Sequence, residues 1–337
     1  MNRIATFVQV SDLHLGHLDP RTGSSQDHAA WAYFKVCEGL VGHDYVALRR
    51  LASYFDGLRK AEDAQLIVTG DLTSCGHVDQ FDSACDFLGG RLVTAKSTVG
   101  LRARDFMRRA IPGNHDSWSG SPFPKGPPTS GLRNCFPNLP YTFRMPLQAT
   151  KYGLHFMAID TDADVGVKTR LQARGEFHTQ LQALDALLNP AEDTEIRVLL
   201  LHHSRNFGDP NWTGNLTMVD ASRRALEDFI VRQNVKVLLC GHTHASVVKS
   251  FTAVAASGLT AEILECCCGT TTQRDTVPAT WTAFWNQWGG WQFKPNALLV
   301  HRLYEDQHGA IVWETEQLLR KALGFTPDKT YPSVVVS

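Results

Sequence analysis

Two histidines separated by one residue, His242 and His244, follow an apolar run, Val235 to Cys240, that is typical of a buried strand. Histidine is the commonest metal ligand among protein side chains. In a loop that leaves a strand, this spacing lets the two rings reach neighbouring ions. Because such a pair also occurs in ordinary polar loops, its interpretation depends on what the rest of the chain offers.

Further groups of metal-competent side chains also follow apolar runs. In chain order these are Asp12 and His14, Asp71, Asn114 with His115 and Asp116, and His202 with His203. Carboxylate, amide and imidazole groups at the ends of five strands can together hold two metal ions. Five unrelated polar strand ends are the alternative, and the recurrence of the same ligand chemistry after every strand argues against it.

The segments between these groups predict alternating strands and helices. Leu48, Leu51 and Phe55 belong to an apolar stripe with spacings of three and four, which indicates a helix over about 44–60. Similar stripes predict helices at about 78–88, 176–188 and 220–233, the last capped by Asp220. Strand pairs are expected at 141–145 with 154–160 and at 297–304 with 309–314, and further strands at 247–251 and 262–268. In open α/β sheets, sites lie beyond the carboxyl ends of the strands, where the ligand groups stand.

Residues 117–140 follow the third ligand group and are rich in Pro and Gly, without a helical period. Loops of this length in compact domains are often lids or binding loops, so we expect this one to choose the substrate. Trp118, Phe123 and Phe136 could form walls of the substrate site or could anchor the loop to the protein body. The residues leave both interpretations open.

The composition is that of an ordinary globular protein, with 43% hydrophobic residues, 20% charged residues and a net charge of −1 in 337 residues. This charge creates no global field for nucleic acid or an anionic membrane, so we see no strong sign of nucleic-acid binding. The first apolar run begins at Ile4, which leaves no room for a signal peptide, and no run approaches the roughly 20 residues of a membrane span. We therefore expect a cytoplasmic protein without a membrane partner. The adjacent Cys266, Cys267 and Cys268 are expected to be buried apolar residues rather than a thiolate site.

The ordered motifs D-x-H, G-D, G-N-H-D, H-H and G-H-T-H resemble those of the calcineurin-like metallophosphoesterases, over about residues 4–273. Gly269 to Gln273 also resembles a stretch found in phosphodiesterase-type members, so by its motifs the chain resembles the class III cyclic-nucleotide phosphodiesterases more than the purple acid phosphatases. Purple acid phosphatases place a Tyr beside the bridging Asp, whereas Leu72 follows Asp71 here. The resemblance implies an α/β fold, specifically a four-layer αββα sandwich. The metallophosphoesterase domain would comprise residues 1–275, with 117–140 as a loop insertion. Residues 276–337 would add C-terminal strands and a Trp-rich extension packed on the same domain.

The resemblance also implies two divalent metal ions, Mn, Fe or Zn. Asp71 would bridge them. The other ligands would be Asp12, His14 and His244 for one ion, and Asn114, His202 and His242 for the other. The doubled histidine leaves the choice between His202 and His203 ambiguous, and we take His202 because it comes first after the apolar run.

His115 matches the family residue that faces the substrate, where it stabilises developing charge or protonates the leaving oxygen. Several relatives support this histidine with a carboxylate three residues after the bridging Asp, but Ser74 occupies that position. Asp116 is an alternative residue to orient the ring, so we include it with His115 as a catalytic candidate.

The function implied is hydrolysis of a small-molecule or nucleotide phosphodiester by a metal-bridging hydroxide. A phosphomonoesterase or protein phosphatase is an alternative that needs a cation to hold a dianion, and Arg205 is the candidate substrate-binding residue. A nuclease and a non-catalytic scaffold are further alternatives. The motifs leave the physiological substrate and the oligomeric state open.

Overall fold

A computed structural model describes residues 1–19, 21–25, 42–120, 126–166, 173–205, 217–272 and 295–337. The helices in these ranges are α1 (Tyr45–Glu62), α2 (Val78–Gly89), α3 (Ser130–Cys135), α4 (His178–Asp185) and α5 (Asp220–Arg232), with a 3₁₀ turn at Phe106–Arg109. The strands before residue 200 are β1 (Asn2–Val10), β2 (Gln65–Thr69), β3 (Leu92–Val93), β4 (Thr98–Val99), β5 (Ala110–Ile111), β6 (Tyr141–Pro146), β7 (Gly153–Ala158) and β8 (Glu195–Leu200). The remaining strands are β9 (Val235–Cys240), β10 (Val247–Val254), β11 (Thr260–Cys267), β12 (Ala297–Glu305), β13 (Ile311–Lys321), β14 (Gly324–Thr330) and β15 (Val334–Val335).

Two mixed sheets form the centre of the fold. The first has the order β14-β13-β12-β1-β2-β5, with β15 also paired to β13, and the second has the order β10-β11-β9-β8-β7-β6. Strands β1, β2 and β5 run parallel in the first sheet, and β7, β8, β9 and β11 run parallel in the second. The parallel strands therefore direct the loops at their carboxyl ends to one edge of each sheet.

Three apolar clusters show that these elements form four layers. One cluster joins α1 and α2 to the first sheet, for example through Phe55, Phe81 and Val68. A second lies between the two sheets and includes Trp313 and Phe156. The third joins α4 and α5 to the second sheet. The order helix, sheet, sheet, helix is the αββα sandwich implied by the motifs.

The helices predicted from apolar stripes are confirmed, with ends that differ by up to three residues. Val219, in extended conformation, is the N-cap of α5, so the expectation that Asp220 caps this helix was wrong by one residue. As the first helical residue, Asp220 still places negative charge near the positive end of the helix dipole. The segment 117–140 contains the short helix α3, which its Pro and Gly content concealed.

The C-terminal strands are part of the first sheet. Strand β12 pairs antiparallel with β1 from Asn2↔Glu305 to Gln9↔Leu299, and β13 and β14 extend the sheet outward. The strand pair predicted at 297–304 and 309–314 is thus confirmed, whereas β14 was not anticipated. The four tryptophans between residues 281 and 291 lie outside the described ranges. None of the helices in the described ranges is both long and apolar enough to span a membrane.

The three adjacent cysteines are buried, as predicted. Cys266 and Cys268 face the core between the two sheets, and Cys267 faces the helices on the other side of the second sheet. Alternation along a strand explains this arrangement, because successive side chains point to opposite faces.

Candidate metal centre

The candidate ligand groups lie in loops that follow five parallel strands. Asp12 and His14 follow β1, Asp71 follows β2, and Asn114 follows β5 in the first sheet. His202 follows β8, and His242 and His244 follow β9 in the second sheet. Backbone hydrogen bonds tie these loops together: Asp12 N donates to Gly70 O at 3.0 Å, and Gly241 N donates to His202 O at 3.0 Å. Within each sheet, neighbouring ligand loops are thus held together.

One group of side chains meets around Asp12. Its Oδ1 atom lies 3.3 Å from His244 Nε2 and 3.9 Å from His14 Nε2. The two Nε2 atoms are 3.4 Å apart, and His14 Nε2 is 3.9 Å from Asp71 Oδ2. Four electron-rich atoms therefore converge within the distances that ligands of one ion keep from each other.

A second group meets around Asn114. Its Oδ1 atom lies 3.1 Å from His202 Nε2 and 2.9 Å from His242 Nδ1. His202 Nε2 is also 3.4 Å from Asp71 Oδ2, so that carboxylate borders both groups. This is the position required of a bridging ligand. The structure brings together all seven residues that the motifs nominate as metal ligands.

The chemistry of these atoms fits cations. Burial, together with the charge of His115, lowers the pKa of His14 to about 3, and burial with the charge of His202 lowers the pKa of His242 to about 3. Both rings are therefore neutral and have a lone pair for a metal ion. Burial opposes a charge on His202, yet the carboxylate of Asp71 raises its pKa to about 10, so the space between these two side chains favours positive charge. Asp12 Oδ1 is buried without a hydrogen-bond donor, as expected of an atom that needs a cation.

The backbone at the centre is strained. Left-handed φ values between 48° and 70° occur at five candidate ligands, namely Asp12, His14, Asp71, His242 and His244. Non-glycine residues adopt this conformation rarely and at a cost in free energy, and such strain is concentrated at functional sites. Here it turns each side chain sharply out of its strand end toward the shared space.

His202, rather than His203, faces the metal ligands. Its Nδ1 lies 2.7 Å from the carbonyl oxygen of Thr69, which fixes the ring with Nε2 toward Asp71 and Asn114. The ring of His203 instead makes a 2.8 Å hydrogen bond from Nδ1 to the hydroxyl of Thr161. The role of the Thr69 carbonyl could not be found from the motif, because a backbone acceptor has no sequence signature.

His115 lies beside the ligand groups. A ring nitrogen of His115 is within 4.8 Å of ligand atoms of His14 and Asp71. Its Nδ1 makes a 2.8 Å hydrogen bond with the carbonyl oxygen of Ser74, and its ring stacks on Trp118 with a centroid distance of 4.2 Å. The missing family carboxylate at position 74 is therefore replaced by a backbone carbonyl, and Trp118 supports the ring from its face.

The Asp116 carboxylate binds donors of the second and third ligand loops, whereas His115 Nδ1 bonds to the Ser74 carbonyl. The buried Asp116 carboxylate accepts hydrogen bonds from the backbone amides of Gly113, Leu72 and Thr73 at 2.8 to 3.0 Å. Burial and the nearby charge of Asp71 raise its pKa to about 7. With a further hydrogen bond from the Thr73 hydroxyl at 2.7 Å, these contacts link the second and third ligand loops.

Arg205 is likewise not directed at the centre. Its Nε donates to Glu227 Oε1 at 2.8 Å, and its guanidinium lies 4.3 Å from the ring centroid of Phe251. The charge is balanced by a carboxylate on α5, so the expected substrate-binding role is not supported by this position. From the sequence, only its place two residues after His203 was visible.

The aromatic residues proposed as walls of the substrate site lie in different parts of the structure. Phe136 is buried in the core formed by α1, α2 and the first sheet, so it anchors the chain that follows α3 to the protein body. Trp118 lies at the centre through its stack on His115. Phe123 lies outside the described ranges.

Residues Gly269 to Thr272 connect the second sheet to the first ligand loop. The hydroxyls of Thr270 and Thr272 donate to the carbonyl oxygens of Asp12 and Leu13, at 3.0 and 2.6 Å. Thr271 Oγ1 accepts a hydrogen bond from Ser11 N at 3.1 Å. The motif therefore holds the backbone around Asp12 in place, and Gln273 lies outside the described ranges.

Three solved structures resemble this chain at low sequence identity. A purple acid phosphatase from yellow lupin (Lupinus luteus) seeds superimposes with a TM-score of 0.51 at 12% identity, covering 99% of this chain and 54% of that one. A Staphylococcus aureus protein assigned as a 5′-nucleotidase, in complex with alpha-ketoglutarate, gives a TM-score of 0.46 at 13% identity, with 98% and 54% covered. The anchor in the inner membrane complex of Plasmodium gives 0.48 at 12% identity, with 99% and 90% covered. This chain spans about half the length of the first two proteins, and the similarity to the phosphatase concerns the fold alone.

Sequence comparison identifies the family. No curated protein matches the chain. A sequence profile of the calcineurin-like phosphoesterases, however, matches residues 5–246, which is most of the chain and includes all the candidate ligands. The chain therefore belongs to the calcineurin-like phosphoesterases, metal-dependent hydrolases of phosphoric esters with a dinuclear metal site.

Proposed function

We propose that this protein is a phosphodiesterase that hydrolyses a small-molecule or nucleotide phosphodiester. The observation that carries the proposal is the convergence of seven ligand side chains on two adjoining positions that share Asp71. Asp12, His14 and His244 would hold one divalent ion, and Asn114, His202 and His242 would hold the other. When bound, two such ions bind ester oxygens and generate a nucleophile from water near neutral pH.

His115 would act on the substrate. Because its Nδ1 faces the Ser74 carbonyl, Nδ1 carries a hydrogen, and Nε2 is the atom available for a substrate oxygen. A protonated Nε2 can donate to a phosphoryl oxygen or to the leaving oxygen. The stack on Trp118 fixes the plane of the ring, as donation of a proton from Nε2 to the substrate requires.

The position of Arg205 supports a diester rather than a monoester. A phosphomonoester dianion needs more positive charge at its non-bridging oxygens than a diester monoanion does. Arg205 was the candidate cation for binding a phosphomonoester, but it forms a 2.6 Å ion pair with Glu227. A diester needs no such additional charge.

Hydrolysis of bis-(p-nitrophenyl) phosphate and of p-nitrophenyl phosphate by the manganese-loaded protein tests the proposal. We expect a strong preference for the diester, lost in Asp71→Ala together with bound metal. Arg205→Ala is the matched variant, because it removes the alternative cation and should leave diester hydrolysis unchanged. A preference for the monoester that Arg205→Ala abolishes would identify a phosphomonoesterase. Full metal occupancy without hydrolysis of either ester would indicate a non-catalytic scaffold.

Substitution of His115 tests the proposed catalytic role. We expect His115→Ala to lower kcat by about 100-fold or more, because one positioned proton donor contributes roughly this factor. Metal content, measured by inductively coupled plasma mass spectrometry, should stay at two ions per chain. Unchanged kcat with both ions bound would remove His115 from the mechanism.

A further inference from the structure

Two cysteines outside the metal centre lie in direct contact. Cys85 belongs to α2 and Cys135 is the last residue of α3, and their Sγ atoms are 3.6 Å apart. The two residues are 50 positions apart in the chain. The contact is therefore made by packing of the two helices and not by sequence proximity.

The backbone on both sides holds this contact. A Cβ placed on Gly131 of α3 would lie 2.4 Å from the Phe81 ring of α2, so the two helices approach closely at this point. The hydroxyl of Thr129, just before α3, donates to the carbonyl oxygen of Gly76 at 2.6 Å. The sulfurs are held together by a short helix that is fixed at its start and along its face.

Solvent can reach these thiols more readily than the other described cysteines. Cys85 and Cys135 are half-buried, whereas Cys75, Cys240 and the three adjacent cysteines of β11 and its end are buried. Burial in apolar surroundings makes a thiol inert, and partial exposure is a condition for oxidation. Within the described ranges, this pair combines exposure with a neighbouring thiol.

The two thiols are not equivalent. The hydrogen bond with Cys135 lowers the pKa of Cys85, and the same interaction raises the pKa of Cys135. Cys85 is thus the thiol that ionises first, and the thiolate is the reactive form of cysteine. The direction of these two pKa shifts favours Cys85 as the attacking thiol.

We propose that Cys85 and Cys135 form a reversible disulfide when the protein is exposed to hydrogen peroxide. The Cys85 thiolate attacks one peroxide oxygen, the O–O bond breaks, and after protonation hydrogen peroxide has become water and Cys85 a sulfenic acid. The Cys135 sulfur then attacks the Cys85 sulfur and the S–O bond breaks, which releases a second water. Two thiols lose two protons and two electrons in total, and the peroxide accepts them to give two waters.

The disulfide would close a covalent loop that contains residues of the metal centre. The chain between the two cysteines includes Asn114, His115 and Trp118. Closing a loop of about 50 residues restricts the unfolded chain, so we expect the linked protein to have a Tm higher by about 5 °C.

Intact-mass measurement and non-reducing peptide mapping after treatment with hydrogen peroxide test the proposal on the full chain. We expect the loss of two hydrogens, a peptide linked between Cys85 and Cys135, and full reversal by dithiothreitol. Cys85→Ser and Cys135→Ser should each abolish the link, and the buried Cys75→Ser is the matched control that should retain it. In Cys135→Ser, dimedone should trap a sulfenic acid at Cys85.

Two results would overturn the proposal: an unchanged mass in the wild-type protein, and a linked peptide that contains a different pair. A linked protein whose Tm does not rise would contradict the expected stabilisation. If either serine variant fails to fold, Cys85→Ala and Cys135→Ala replace it, because alanine introduces no polar atom at a half-buried position. None of these measurements depends on diester hydrolysis, so this proposal and the proposed function can fail independently.

Discussion

At the scale of single residues, His115 has an unusual set of supports. The carboxylate that the family resemblance led us to look for is absent at position 74, and this chain uses the Ser74 carbonyl and the face of Trp118. A carbonyl acceptor keeps the hydrogen on Nδ1 but adds no full negative charge. The orientation of the ring therefore depends more on Trp118 than a carboxylate-supported ring would.

Trp118 should act through His115. We expect Trp118→Ala to lower kcat for bis-(p-nitrophenyl) phosphate by about 10-fold with little change in KM, because a small misplacement of a catalytic group costs one to two orders of magnitude. Trp118→Phe should restore most of the activity, since it keeps a ring on the same face. In the His115→Ala background, Trp118→Ala should have no further effect.

The double variant separates this role from others. An additional 10-fold loss in the His115→Ala background would mean that Trp118 contacts the substrate directly or supports the fold. A rise in KM with unchanged kcat would indicate substrate binding alone.

At the scale of elements, the third ligand loop is delivered by a very short strand, β5, of two residues. Its position depends on the hydrogen bonds of Asp116 and on the absence of a side chain at Gly113. A Cβ at Gly113 would lie 2.2 Å from Asp71 Oδ1 and 2.7 Å from His202 Nε2. The glycine thus allows the loop to pass directly beside the bridging carboxylate.

We therefore expect Gly113→Ala to weaken metal binding by at least about 10-fold, because the methyl group must displace two ligand side chains and metal sites are sensitive to such shifts. Metal retained after dialysis against a weak chelator measures this effect. Gly57→Ala is the control, since Gly57 lies on the exposed side of α1 and a Cβ there meets nothing within 4 Å. Equal metal retention in both variants would show that the third loop can move without affecting the ligands.

At the scale of the whole molecule, a buried polar network joins the two sheets beneath the metal centre. His301 Nε2 donates to Gln9 Oε1 at 2.9 Å, and its Nδ1 accepts from Trp313 Nε1 at 3.1 Å. Gln9 Nε2 in turn donates to the carbonyl oxygen of Cys240, the last residue of β9, at 2.9 Å. Because Nδ1 accepts and Nε2 donates, His301 must be neutral in the folded protein.

This requirement makes stability depend on pH. Burial lowers the pKa of His301 from 6.5 to about 3. Below about pH 6.5 the unfolded chain binds a proton that the folded chain does not, so the contribution of His301 to stability is lost as pH falls toward 3. We expect the free energy of unfolding to fall by about 1 kcal/mol more per pH unit in the wild-type protein than in His301→Asn, between pH 6 and pH 4.

Urea denaturation of both proteins at several pH values in this window measures the difference in slope. His308→Asn is the control, because His308 is exposed in the turn between β12 and β13. Parallel slopes for wild type and His301→Asn would contradict the prediction, whatever the absolute stabilities are.

Much of the architecture was predictable because helices and strands bury their faces with characteristic periods. The stripe through Leu48, Leu51 and Phe55 identified α1, and the apolar runs identified the strands before each ligand group. The helix α3 and the strand β14 were not identified. Gly and Pro around α3 mask a helical period, and β14 contains Pro327, Asp328 and Lys329, whose exposed positions have no apolar alternation.

The sequence by itself determined the type and order of the metal-binding side chains, since these are properties of local motifs after apolar runs. Only the tertiary structure decided which atoms meet. It selected His202 through the Thr69 carbonyl, turned Arg205 toward Glu227, and supported His115 with the Ser74 carbonyl instead of Asp116. The physical reason is that a hydrogen bond depends on direction and distance between groups far apart in the chain, and backbone carbonyls, which supply two of these contacts, are the same in every residue.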